Sequence, residues 1–334
     1  MIKNILITGG NGYIGSHLCI KLLLLGFNIT IVDNLVNSKL SNLKKIRKIS
    51  KKKFYFYKLD IQKTKKLTQI LKDRKINFVF HLAALKAVNE SVLFPIRYYK
   101  NNILGNSSLI NSMINAKVFK IVFSSSAVVY GNTIKFPINE KTNPKPLSPY
   151  GLTKLFCEKQ FSYLSTANKK WKIISLRYFN PVGSHDSSEI GDNPDKPDNI
   201  MPVINKTALG KKKFFEIYGK KYPTRDGTAI RDYIHVMDVV DAHITCLRKI
   251  NKFTGHEIFN IGTGKGISVL QLLRSYEKIN NLVLKKKFGP NRDGDIPISY
   301  ADVKKIQKKL KWESKHDLLD MCKSSFLFAK KTNL

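Results

Sequence analysis

The sequence predicts an α/β protein built on a doubly wound parallel sheet, with a second, smaller α/β domain. Three observations predict it. Short apolar runs alternate with stretches of helical periodicity over roughly the first 180 residues, which is the pattern of βαβ units. The first of these runs ends in a glycine turn that opens directly into a helix. Beyond Pro181 the texture changes to Gly, Asp, Asn and Pro, from Gly183 through Pro202, which reads as a long loop leaving the first domain.

Taken in order, Ile5-Leu6-Ile7-Thr8 is an apolar run that ends in Gly9-Gly10-Asn11-Gly12-Tyr13-Ile14-Gly15, and the helical spacing of Leu18, Ile20, Leu22 and Leu25 follows. Gly26 and Asn28 mark that helix's stop, and Ile29-Thr30-Ile31-Val32 is the next strand, ending at Asp33. Further strands are predicted at Phe54–Tyr57, Phe78–Phe80, Ile121–Phe123 and Ile173–Leu176, separated by helices around Leu67–Leu71, Tyr98–Asn115 and Tyr150–Ala167. After the long loop come a short helix near Val203–Leu209, strands near Phe214–Tyr218 and Ile258–Ile261, a helix over Val239–Ile250, and helices near Leu270 and Ile306. The expected domains are a dinucleotide-binding one over 1–180, to which about 233–262 return, and a second one over 181–232 and 263–334.

Composition narrows the class. The formal net charge is +35, but the lysines are scattered in short runs such as Lys51–Lys53, Lys211–Lys213 and Lys285–Lys287, beside strand-like segments where solvated loop ends lie. That pattern argues against nucleic acid as a partner, while the field still favours the approach of an anionic ligand. The four cysteines, Cys19, Cys157, Cys246 and Cys322, are widely separated and suggest neither a disulfide framework nor a metal site, so a reduced, cytoplasmic setting is expected. The apolar run at the N-terminus is too short for a signal peptide, and nothing approaches a membrane span.

The chemistry starts at the glycine turn. Gly9, Gly12 and Gly15 allow a tight turn, let backbone approach a pyrophosphate, and pack helix against sheet, while the helix N-terminus faces the anion. Asp33 closes the second strand where a carboxylate can bind a ribose diol and repel a 2′-phosphate, so NAD is preferred over NADP. A second motif, Ser148-Pro149-Tyr150-Gly151-Leu152-Thr153-Lys154, sets a phenol and an ammonium four residues apart, on one helix face. Pro149 suits the first helical turn and Ser148 its cap. A nearby cation favours a phenolate, so Lys154 is expected to activate Tyr150 as a base.

Together with Asp33-Asn34-Leu35, His81 through Val88, Ser124-Ser125-Ser126-Ala127, Arg177-Tyr178-Phe179-Asn180-Pro181 and Arg231 through Asp238, these motifs make the chain resemble the extended short-chain dehydrogenase/reductase family, and within it the UDP-glucose 4-epimerases. The resemblance runs over nearly the whole chain. It implies a Rossmann fold and assigns NAD contacts to Tyr13, Ile14, Asp33, Asn34, Leu35, Val36, Asn37, Ser38, Asp60, Ile61, Leu82, Ala83, Ala84, Leu85, Lys86, Asn101, Lys154 and Phe179. Ser126 and Tyr150 would flank the sugar's C4 hydroxyl. Asn180, Asn199, Ile200, Glu216, Ile217, Tyr218, Arg231, Arg292 and Asp295 would hold the UDP moiety. Arg231 and Arg292 suit a diphosphate because a guanidinium offers a fixed fork of donors; the competing assignment is an ion pair with Asp232 or Asp295.

The function so implied is reversible 4-epimerisation of UDP-glucose and UDP-galactose through a 4-keto sugar, with NAD retained, Tyr150 as base, and Ser126 and Lys154 assisting. The family also implies a homodimer pairing the helices of Tyr98–Asn115 and Tyr150–Ala167; the apolar spacing of Ile103, Leu109, Ile110 and Met113 fits that face or the core equally. A nucleotide-sugar 4,6-dehydratase is the rival enzyme, but Ser126-Ala127-Val128-Val129-Tyr130 lacks the Asp-Glu that elimination needs. A non-catalytic dinucleotide sensor is the rival of another class, and the intact Ser126, Tyr150 and Lys154 argue against it. Ser299 stands where some members carry a bulky aromatic beside the hexose, so N-acetylated UDP-hexosamines are expected to fit as well, unless a slip of one residue puts Tyr300 there.

Overall fold

Strand β1 (Asn4–Thr8) carries Ile5, Leu6 and Ile7 without exposed surface, a continuous apolar run that only a strand covered on both faces can bury. It lies inside a seven-stranded sheet. With β2 (Asn28–Asp33), β3 (Tyr55–Lys58), β4 (Phe78–His81), β5 (Lys120–Ser126) and β6 (Lys172–Tyr178), the order runs from the strand Gly255–Ile261 through β6, β5, β4, β1 and β2 to β3. Strands β1 to β5 pair in parallel, with Thr8 opposite Val32 on one side and His81 on the other. The structure, a computed structural model, describes residues 2–195, 199–291 and 295–334.

The order reverses between β1 and β4. At such a switch point the chain leaves the sheet in opposite directions, opening a crevice at the carboxyl ends of the strands. Those ends are Thr8, Asp33, His81 and Ser126. Beneath them Leu6, Val32, Val79, Ile121 and Phe123 pack with Leu67, Leu109, Met113, Phe161 and Trp171 in one buried cluster.

The helix expected over Tyr98–Asn115 is not continuous. It begins as Pro95–Tyr98, widens into a π-helical turn over Tyr99–Leu104 and resumes as Gly105–Asn115. A π turn inserts one residue into the helical ladder and re-aims its side chains, and such turns recur at functional sites. Here it carries Asn101 and Asn102. Gly105 follows, and the Ile61 side chain fills the space its Cβ would need, 3.0 Å from the nearest atom.

Packing divides the chain into one unit of 1–131, 143–177 and 240–259, and another of 132–142, 178–239 and 260–334. The first holds the body of the large sheet. In the second, the helices Ile200–Ala208, Val269–Asn280 and Leu318–Thr332 contribute Ile204, Leu272, Leu273, Tyr276, Met321 and Cys322 to a core of its own. Ser268 with Gln271, and Asp317 with Asp320, form reciprocal capping boxes that start the last two of these helices. Short strands complete it: Ile230–Arg231 lies between Ile267–Ser268 and Ile298–Ser299, and Phe215–Tyr218 pairs in parallel with Lys286–Gly289.

Candidate active site

The three glycines of the turn do different work. Gly9 has φ +68°, and a Cβ there would sit 2.6 Å from the Ala83 nitrogen, so its smallness lets the Leu82–Lys86 loop ride on the turn. Gly15 lies so close to Gly9 that a Cβ would meet the Gly9 carbonyl at 2.2 Å, which sets the approach of the first helix, Tyr13–Leu24, to the sheet. Gly12 is looser, with the Gly9 carbonyl 3.3 Å away from its would-be Cβ. It caps the helix without a capping side chain, and no acidic residue stands in the first turn. Bare backbone and a positive helix end form a cradle for an anionic pyrophosphate.

Asp33 ends β2 beside this cradle. Its carboxylate accepts from the Asn11 and Leu35 N–H groups at 3.1 and 2.9 Å and from the Ser38 hydroxyl at 3.0 Å, which fixes its direction. Asp60 accepts from the Gln62 N–H and from the Asn34 amide, at 2.9 and 3.3 Å. Asn34, Val36, Asp60, Leu85 and Asn101 then line one cavity of about 420 Å³ with Gln62, Ile96, Arg97 and Lys100. The first five of these, far apart in sequence, are among the expected NAD contacts, and their convergence on one cavity fits the adenosine half of a dinucleotide. Ile61 belongs to the core instead, which leaves only its backbone for a ligand. Lys86 is exposed, 5.9 Å from the Tyr13 ring centroid.

The candidate catalytic side chains are buried. Ser148 caps the helix Pro149–Ala167 by accepting from the Gly151 N–H at 3.2 Å, and Pro149 occupies its first position, as the sequence predicts. Tyr150 and Lys154 follow on one face. Ser126, at the end of β5, lies near enough to the Tyr150 phenol to act on its ionisation, and its hydroxyl accepts from the Val128 N–H at 3.3 Å. Lys154 Nζ donates to the Ser124 carbonyl at 2.6 Å and lies 5.9 Å from the Tyr150 ring centroid. The expectation that Lys154 favours a phenolate needs correction for the chain by itself. Burial pushes the Tyr150 phenol up to about 12, with the nearby Ser126 opposing, so the phenol keeps its proton at neutral pH. Burial also pushes Lys154 down to about 8, with the neighbouring Cys157 and the Glu158 carboxylate opposing.

Sequence reasoning missed Asn102. Its side chain accepts from the Leu85 N–H and donates to the Leu85 carbonyl, at 2.9 and 3.0 Å, and donates to Thr153 at 3.0 Å. It thereby ties the Leu82–Lys86 loop to the helix of Tyr150 and Lys154. A helix-interior Asn on an apolar segment is the signal that points to it.

In the second unit, Asn180 opens the strand Asn180–Val182, and Phe179 before it is buried. Asn199 precedes Ile200 at the start of a helix, and its amide donates to Asp192. Glu216 and Tyr218 meet through a hydrogen bond of 3.2 Å, whereas Ile217 is a core residue. The Arg231 guanidinium pairs with Asp295, the ion pair that the sequence offers as the alternative to diphosphate binding. Ser299 lies opposite Arg231 in the parallel pairing and is buried, while the Tyr300 ring stacks on Phe136 at 5.8 Å. Arg292 lies outside the described residues. Asp232, the neighbour of Arg231, is fully buried and accepts from Thr263, Gly264 and Ala301, so it is a structural node.

A parallel sheet with a glycine cradle at its switch point and a Ser-Tyr-Lys set whose serine ends β5, two strands away, is the architecture of the extended short-chain dehydrogenases/reductases. The chain matches the family model described as GDP-mannose 4,6 dehydratase over residues 6–325 and belongs to that family. Within it the near relatives are UDP-glucose 4-epimerases. That of Bacillus subtilis is 42% identical over 323 residues, covering 96% of this chain and 95% of the relative. The crystal structure of the enzyme from Stenotrophomonas maltophila, with bound NAD and formylated UDP-arabinopyranose, superposes with a TM-score of 0.97 at 39% identity and 99% coverage of both chains. The UDP-Glc/GlcNAc 4-epimerase of Campylobacter jejuni gives a TM-score of 0.85 at 33% identity, covering 98% of this chain and 99% of that one.

Proposed function

We propose that this chain catalyses the reversible 4-epimerisation of UDP-glucose and UDP-galactose, with NAD as its cofactor. The observation that carries the reading is that Ser126, Tyr150 and Lys154 come together, Ser126 near the Tyr150 phenol and Lys154 one helical turn on, in the same unit as the glycine cradle. The turn Ala127–Tyr130 that follows Ser126 holds no carboxylate, so the chain lacks the acid and base of an elimination there, although its family model is described by a dehydratase. The relatives named above are epimerases.

When bound, NAD supplies the hydride acceptor and donor at C4 and a positive charge beside the phenol. The chain's own residues handle the proton. Tyr150 Oη takes it from the C4 hydroxyl, directly or through Ser126, and returns it to the same oxygen after the resulting 4-keto sugar has turned over. The Lys154 ammonium supports the phenolate while the proton is away. Arg231, Arg292, Asn180, Asn199, Ile200, Glu216, Ile217, Tyr218 and Asp295 are proposed to anchor UDP, leaving the hexose few contacts so that it can rotate about its link to the diphosphate. For Arg231 this means exchanging Asp295 for phosphate oxygens.

Ser299 in place of an aromatic leaves room beside the sugar, so the N-acetylated UDP-hexosamines are proposed as further substrates. The buried position of Ser299 opposite Arg231, with Tyr300 turned onto Phe136, supports the register on which this rests. A homodimer is proposed as well, on a revised face: Leu109, Ile110 and Met113 belong to the core, whereas Leu104, Leu152, Phe156 and Tyr163 are exposed on the same two helical segments. Static light scattering reads that state directly. The buried, unpaired thiols of all four cysteines fit a reduced, cytoplasmic setting, and no helix among the described residues is long and apolar enough to cross a membrane.

Purified protein incubated with UDP-galactose, without added NAD, is expected to form UDP-glucose and to release dinucleotide on denaturation. Protein free of dinucleotide that still epimerises unaided would refute the mechanism.

A further inference from the structure

Behind the Ser126, Tyr150 and Lys154 set lies a second buried group that the proposed reaction does not touch. Glu158 and Arg177 are each 2% exposed. They form a forked ion pair, Arg177 Nε to Glu158 Oε1 at 2.9 Å and Nη2 to Oε2 at 2.6 Å. The Ser125 hydroxyl donates to the same Glu158 Oε1 at 2.5 Å, and the Arg177 guanidinium lies 4.7 Å from the Tyr130 ring centroid. One carboxylate therefore joins the helix Pro149–Ala167, the end of β5 and strand β6.

Stability alone is a poor reason for this arrangement, because replacing a buried ion pair by apolar side chains of similar volume is often neutral or stabilising. Its location suggests another. Ser125 stands between Ser124, whose carbonyl receives the Lys154 ammonium, and Ser126, which lies near the Tyr150 phenol. Glu158 follows Lys154 by one helical turn, so the carboxylate and the ammonium share a face. A shift of β5 along the helix would part both contacts at once.

We propose that Glu158 is a positioning residue for this reaction: through Ser125 it holds the Ser124 carbonyl and the Ser126 hydroxyl in register with Lys154 and Tyr150, and its charge supports the Lys154 ammonium. The proposal rests on the epimerase reading for its substrate, and on nothing but the fold for its geometry. The groups around Lys154 leave Glu158 as its anionic neighbour. His81 on β4 is held neutral, its pKa driven down to about 3 by burial and by Lys154 itself. The Cys157 thiol is pushed up to about 12 by burial, and the Tyr150 phenol is neutral as well. Arg177 is paired with the Glu158 carboxylate and is neutralised by it.

The test uses the full-length protein and first confirms wild-type turnover of UDP-galactose, so that a failure of the substrate assignment is seen separately. Lys154 is then titrated by NMR in protein labelled at lysine Nζ, where a lysine ionising near 8 stands apart from surface lysines near ~10.4. In Glu158→Gln the Lys154 titration is expected about one pH unit lower, and turnover about 10²-fold lower with KM little changed. If that variant does not fold because Arg177 is left unpaired, the doubly substituted Glu158→Leu, Arg177→Met protein decides. It removes both charges and the Ser125 acceptor together, and it is expected to fold with its turnover still depressed. A folded variant of either kind with wild-type turnover overturns the proposal, as does an unmoved Lys154 titration in Glu158→Gln.

Discussion

The glycine cradle of the first unit and the Arg231 strand of the second are both anion sites by proposal, yet they are built in opposite ways. The cradle works by subtraction. The Asp33 carboxylate takes the Asn11 N–H, but no side chain caps the helix and its first turn carries no acidic residue, so the helix end itself is open to a phosphate. Arg231 is instead occupied, its guanidinium paired with Asp295, and any phosphate must take the place of that carboxylate. A site with nothing to displace keeps what it binds; one with a built-in competitor exchanges it. That contrast matches the two ligands of the proposed reaction, a cofactor regenerated in every turnover and a substrate that leaves.

Four experiments break or sharpen the comparison. Tyr150→Phe removes the proton acceptor and leaves both anion sites alone, so turnover should drop ~10²–10⁴-fold while UDP affinity by calorimetry stays the same; near-normal turnover would move the base to Ser126. Ser299→Tyr closes the space beside the hexose, and turnover of UDP-N-acetylgalactosamine should fall by about 10–200-fold relative to UDP-galactose. If the unaltered protein does not turn over the N-acetylated sugar at all, Tyr300 becomes the wall.

Arg231→Ala tests the exchangeable site. Charge-assisted hydrogen bonds contribute about 1.5–3 kcal/mol, so UDP should bind roughly 10–100-fold more weakly, with the dinucleotide content of the purified protein unchanged. Loss of both ligands together would mean that the two sites are not independent. The smallest effect concerns pH. Burial holds Lys154 near 8, below its ordinary value, so its charge is present at lower pH and is lost as pH rises through that value. Turnover should therefore decline on the alkaline side from about 8, and a flat profile to pH 10 would leave the ammonium without the role given to it.

The first unit was the more legible of the two, and its residues show why. The glycine turn, Asp33 and the Ser148–Lys154 motif are local signals, in which neighbouring residues impose their own geometry: a missing Cβ, a proline at the first helical position, a serine that caps. The alternation of apolar runs with helical periods sufficed for the parallel sheet, because a strand buried on both faces must be apolar throughout. The strands Ile230–Arg231, Ile267–Ser268 and Ile298–Ser299 are two residues each, too short for any period to register.

Sequence alone thus determined the fold class, the glycine turn and the capped helix that sets Tyr150 and Lys154 on one face, since each is written in residues close together along the chain. Tertiary structure decided the rest. Whether Arg231 stands free or paired depends on Asp295, far along the chain, and whether Tyr150 holds its proton depends on how much water the folded chain excludes around it. The continuity of the Tyr98–Asn115 helix yielded to the π turn that carries Asn102 to Leu85 and Thr153, and the partner of Glu158 came from another strand. Charge state and pairing are properties of surroundings, and surroundings exist only once distant segments have been brought together.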